Sequence, residues 1–152
     1  MIELEVQRVI DDAGVPDDGQ FRHWGERVVG SESSDMVNVR IVDEAEGWAL
    51  NKQWRGKDSA TNVLSFPASV PEIDGRRVLG DIVMCAPVIE REAVEQGKHL
   101  EAHWAHLLTH GLLHLLGFDH TDAEQAKRME GREIELLTDL GYPNPYEVTH
   151  AD

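Results

Sequence analysis

The chain is poor in cysteine, in positive charge and in long apolar runs, and each shortage excludes a class of protein. A single cysteine, Cys85, stands in 152 residues. No internal disulfide can form, which fits a reducing compartment and leads to an expectation of a cytoplasmic protein. Lysine and arginine number 14 against 29 aspartate and glutamate, a formal charge of −15. A protein that coats nucleic acid without regard to sequence would be basic, as would a simple cationic membrane binder. No apolar run reaches the length of a membrane span. The first residues, MIELEVQRVIDD, lack the basic start and apolar core of a secretory signal. Repeats and low-complexity segments are absent. What remains, 41% hydrophobic and 28% charged residues over this length, reads as one globular domain spanning 1–152 with a real core.

Hydrophobic periodicity supplies the elements. Residues 2–8 and 36–42 alternate apolar and polar as strands do. Residues 17–29 carry Phe21, Trp24 and Val28 at helical spacing, with Asp17 or Asp18 as cap. A helix is expected over 43–54, stopped at Gly56. A short strand at 63–66 and a stronger one at 78–84 follow, joined by turn-rich SVPEIDGRR. From Pro87 the pattern is helical: 87–96, 99–117 and 122–140, the last capped by Thr121 or Asp122. The tail from Asn144 is expected to be loosely held. Strands first and helices after give an α+β or mixed α/β domain, with one mixed sheet of about four strands.

The run HGLLHLLGFDH carries most of the chemistry. His110 and His114 stand one turn apart on one helical face, so two imidazoles can meet one ion. Gly117 can take the left-handed backbone that ends a helix and turns the chain back. His120 then returns as a third ligand. Three protein ligands leave a fourth position open, as in catalytic rather than structural zinc sites. The surrounding WAHLLTHGLLHLLGF is nearly all apolar, and burying unpartnered imidazoles there costs a few kcal/mol each, which a shared metal removes. His106 lies four residues before His110, yet no third ligand stands at the matching distance. His103 and His106 are therefore expected as hydrogen-bond partners behind the ligands or as surface residues. The spacing matches the metzincin proteases except that Gly111 stands where their general-base glutamate belongs. That leaves a metal-dependent hydrolase of peptides or small amides as the rival reading.

Other residues stay open at this stage. Asp119 can orient a ligand imidazole or cap the following helix. Asp81, inside an apolar strand, is either edge-exposed or a buried functional partner, and burial cost favours function. Lys52, Arg55 and Lys57 cluster, as do Arg76 and Arg77, so a basic patch on an acidic body can guide a phosphodiester. Arg55 is either half of a surface ion pair or a guanidinium fork on phosphate oxygens.

HGLLHLLGFDH, together with LNKQWRGKDSATNVLSFP at 50–67 and LGDI at 79–82, resembles the YbeY family of bacterial endoribonucleases. The family pattern reads HGxLHLxGYDH, LNxxYR and TDVLSFP. The resemblance implies a mixed sheet with packed helices, one Zn²⁺ per chain on His110, His114 and His120, and a catalytic Arg55. It also implies single-stranded and ribosomal RNA as substrate, action in small-subunit RNA maturation and ribosome quality control, and the small ribosomal subunit or its associated proteins as partners. Trp54 and Phe118 replace the family's tyrosines, Ala60 its proline and Asn62 its aspartate.

Overall fold

A computed structural model describes residues 1–10, 14–70, 72–119 and 121–146. Five strands and five helices lie among them: β1 (Glu3–Arg8), α1 (Asp18–Val29), β2 (Met36–Val42), α2 (Glu44–Arg55), β3 (Val63–Pro67), β4 (Glu72–Ile73), β5 (Arg76–Cys85), α3 (Ala86–Glu95), α4 (Leu100–Leu115) and α5 (Ala123–Asp139). The main sheet runs β1-β2-β5-β3. β1, β2 and β5 are parallel, and β3 closes the edge antiparallel to β5. The expected mixed sheet is present. The fifth strand is the addition: the turn-rich SVPEIDGRR holds a two-residue β4 paired back on the start of β5.

Period-two alternation sorts the sheet into two faces. Ile2, Leu4, Val37, Val39, Ile41, Ile82 and Met84 belong to the main core beneath α1 and α4. Val42, Leu64, Val83 and Cys85 form a smaller cluster with Val88 of α3, and Leu50 of α2 packs against it. α2 approaches closely because Gly47 has no side chain; a Cβ there would stand 3.0 Å from Cys85 Sγ. Cys85 is thus a buried core residue, and burial pushes its thiol up from the ordinary value.

α4 is the central helix. α1, α3 and α5 pack on it, as do β3 and β5, which accounts for its nearly all-apolar sequence. It ends as expected. Gly117 has φ +102°, its N–H bonds the His114 carbonyl, and the Phe118 N–H bonds the Leu113 carbonyl, the paired closure of a left-handed helix stop. Asp17 caps α1 through the Gln20 N–H, and Asp122 caps α5 through the Gln125 N–H. The cap of α5 is therefore not Asp119. No helix among the described residues is long and apolar enough to cross a membrane.

Candidate active site

The elements converge on one cleft of about 640 Å³ between the end of α2, strand β3 and helix α4. Arg55, the last residue of α2, lines it, and so do His110 and His114 of α4. Residues more than fifty positions apart in sequence thus share one wall-to-wall space. His120, expected as the third ligand, lies outside the described residues. Among the described residues no group of three His, Cys, Asp or Glu side chains is arranged to hold an ion. Of the three histidines expected as donors, His110 and His114 are described. Their ring centroids are 4.9 Å apart, with planes at 80°.

The structure adds a residue that the sequence reading missed. Glu133 of α5 is fully buried, and its carboxylate accepts from His110 Nδ1 at 2.6 Å, His106 Nε2 at 3.0 Å and the Tyr146 hydroxyl. Burial alone would raise its pKa. The three hydrogen bonds, from His106, His110 and Tyr146, outweigh that and bring the carboxyl down to about 2. With Nδ1–H committed to Glu133, a neutral His110 keeps its lone pair on Nε2, the atom a metal would take. Two imidazoles one turn apart, one of them backed by a carboxylate, are donors of the kind that zinc takes.

Tyr146 lines the same cleft. The tail was expected to be loose from Asn144, but as far as Tyr146 it is docked, because the phenol reaches a buried carboxylate. Burial, then the bond to Glu133, pushes that phenol far above its ordinary pKa. His106 shares the Glu133 carboxylate with His110 rather than lying at the surface, and burial lowers its pKa against the pull of Glu133. His103 is buried too, not superficial. Its Nε2 meets Glu92 at 3.0 Å, and Asn62 Nδ2 donates to the same carboxylate at 3.0 Å. Burial raises Glu92, yet these hydrogen bonds hold it below the ordinary value. The amide at Asn62 is thereby explained, since an aspartate would set two carboxylates against each other.

Gly111 leaves the metzincin general base without a place. It is buried, and a Cβ there would meet Ser65 Oγ at 3.1 Å and Ile82 Cγ2 at 3.2 Å. The space beside that position is taken by β3 and β5, so a glutamate there would have to displace Ser65 or Ile82.

Two expectations are corrected. Asp81 sits on an interior strand, but on the open face, where it accepts from Asn38 Nδ2 at 3.1 Å. It is neither at an edge nor buried, and it does not line the cleft. The Arg76 and Arg77 pair is not a free basic patch: Arg76 binds Glu3 at 2.6 Å, and Arg77 forks onto Asp35. By contrast, the Arg55 guanidinium is exposed and makes no hydrogen bond or ion pair among the described residues.

Comparison with known proteins agrees with this geometry. A family model described as Endoribonuclease YbeY matches residues 17–141. A Pseudomonas entomophila protein named endoribonuclease YbeY is 54% identical, the match covering 100% of this chain and 98% of that protein. A Pseudomonas putida protein of the same name is 55% identical over the same shares. A Thermotoga maritima protein known from a solution structure superposes with a TM-score of 0.57 at 25% identity, covering 97% of this chain and 99% of the other. With the family model matched over most of its length and relatives 54% identical over all of it, the chain belongs to the endoribonuclease YbeY family.

Proposed function

We propose that this chain is a zinc-dependent endoribonuclease that prefers single strands, and that it acts in the cytoplasm on ribosomal RNA. Small-subunit RNA maturation and ribosome quality control would be its setting, with the small ribosomal subunit or proteins bound to it as partners. The supporting observation is the cleft that brings Arg55 together with His110 and His114. His110 and His114, with His120 returning after the helix stop, would hold the ion. When bound, zinc supplies Lewis acidity: it polarises a phosphoryl oxygen or acidifies water.

The chain's own groups supply the rest. Arg55 presents a planar fork of donors to the scissile phosphate and stabilises the charge that develops on its oxygens. Glu133 keeps His110 in one tautomer and one orientation. Tyr146 and His106 complete the acceptor demand of that carboxylate, so it stays fixed rather than turning toward the cleft.

The test is cleavage by purified, metal-quantified protein of single-stranded RNA, the same sequence as a duplex, and casein, each with and without chelator. The expected result is chelator-sensitive cleavage of the single strand alone. Protein hydrolysis without RNA cleavage would overturn the reading. A 2′,3′-cyclic phosphate on the product would assign the nucleophile to the RNA 2′-hydroxyl.

A further inference from the structure

Two hollows flank the last turn of α2, and Trp54 lines both. One is the cleft. The other, about 1020 Å³, lies between α2 and the open face of the sheet. Trp54 is 62% exposed, the most exposed aromatic side chain among the described residues. A ring that large gains much from burial, and here it is left in water. It is nevertheless held in place. Phe66 of β3 packs against it edge to face, with centroids 5.8 Å apart and planes at 69°. The next residue in the chain is Arg55.

We propose that Trp54, backed by Phe66, is the stacking platform for the nucleobase next to the phosphate held by Arg55. This rests on the ribonuclease reading above. Trp54 and Arg55 are neighbours at a helix end, and both line the cleft. Stacking on an aromatic ring is tolerant of sequence, because every base has a π-face. It also requires a base that has left its own stack, which single strands offer and duplexes do not. The preference for single strands therefore has a local physical cause.

Charge sets the direction of approach. The rim of the second hollow carries Glu5, Glu46 and Asp81, and its one arginine, Arg40, is taken by Glu46 at 2.5 and 2.9 Å. A polyanion is repelled along that path. The strand instead enters over the end of α2, past Lys52, Arg55 and Lys57.

The experiment compares two anionic probes of equal length, an oligouridylate and an abasic ribose-phosphate oligomer, binding to metal-loaded protein. Wild type should favour the oligouridylate. Trp54→Ala should reduce that preference on the order of tenfold to a hundredfold, with binding of the abasic oligomer unchanged. Trp54→Phe should keep most of it. Tryptophan fluorescence should be quenched by oligouridylate in wild type and much less so in Trp54→Phe. Melting temperatures should match, since the ring is largely exposed. In cleavage, Trp54→Ala should raise KM and leave kcat nearly unchanged. If Trp54→Ala distinguishes the probes as well as wild type does while still cleaving RNA, the platform is wrong and the ribonuclease reading survives. If wild type neither binds nor cleaves RNA, both fall together.

Discussion

Replacing Glu133 by Gln tests the centre most directly, because it keeps the shape of a fully buried side chain and removes its charge. The carboxylate accepts from three donors, one of them His110 Nδ1 at 2.6 Å. A glutamine has one acceptor oxygen and one NH₂, so at least one of those donors must meet another donor. If the NH₂ faces His110, the imidazole relaxes by moving its proton to Nε2, and the lone pair meant for the ion is gone. Outer partners of metal-bound histidines are worth about tenfold to a hundredfold in affinity, and that loss is expected here. Stability should fall as well. Hydrogen bonds to a charged group contribute about 1.5–3 kcal/mol each. With one acceptor retained, we expect about 3 kcal/mol for Gln, and about 3–5 kcal/mol for Ala, which leaves the buried donors without a partner. Competition against a chromophoric chelator gives the affinity, and urea unfolding of chelated protein gives the stability. The two readings separate the roles, since a merely structural glutamate would lower stability and leave metal affinity alone. A folded Gln variant that holds metal as tightly as wild type would refute the argument.

Arg55→Lys keeps the charge and loses the fork, so RNA cleavage should fall strongly, and Arg55→Ala should lose on the order of a hundredfold; metal content should not change in either. Gly111→Ala forces a methyl against Ser65 and Ile82 and should cost about 1–3 kcal/mol by overpacking, read by urea unfolding. Asp35 is 6% exposed, and the Arg77 hydrogen bond holds its carboxyl below the ordinary value. A depressed native pKa stabilises above the unfolded value near 3.9 and loses that benefit as pH falls through the native one. Because Arg77 stays largely exposed, Asp35→Asn should cost about 1–2 kcal/mol at neutral pH, and the gap to wild type should narrow below about pH 4. Chelation should lower the melting temperature of wild type, and much less that of His114→Ala, since the ion binds only the folded state.

Much of the fold could be read locally. Periodicity located β1, β2, α1 and α2 to within a residue or two, because each has one buried face and the two helices carry their own caps. The histidine helix α4 was legible because four-residue histidine spacing and a following glycine are local facts. Glu133 was not. It lies in QAKRMEGREIEL, where charge is everywhere and nothing marks one glutamate. A signal was present all the same. Met129, Glu133, Leu136 and Leu137 are the buried residues of α5, so a carboxylate occupies the apolar stripe of an amphipathic helix. Such a residue needs a buried donor, and the histidine-rich α4 is the natural source. Asp81 was misread for the opposite reason. The cost of burial was applied to a strand whose outer face α2 covers only in part, and local sequence does not state how far a neighbouring helix extends.

The acidity of the chain and its substrate can be reconciled through where the cations are spent. Arg8, Arg40, Arg76, Arg77, Arg91 and Arg132 are each bound to a carboxylate. All but Arg132, which pairs within α5, link one segment to another, and all six offer little to a phosphate. At the end of α2 the arrangement differs. Lys52 stands over the Trp48 ring at 4.9 Å, and Lys52, Arg55 and Lys57 form no ion pair among the described residues. A net charge of −15 repels RNA from most of the surface, and the basic and aromatic stretch at the end of α2 stands beside the cleft to receive it. Affinity built this way rests on few phosphate contacts, so most of the discrimination must come from stacking and from the geometry of the cleft. An acidic body is therefore compatible with cleaving RNA, and it disfavours coating it.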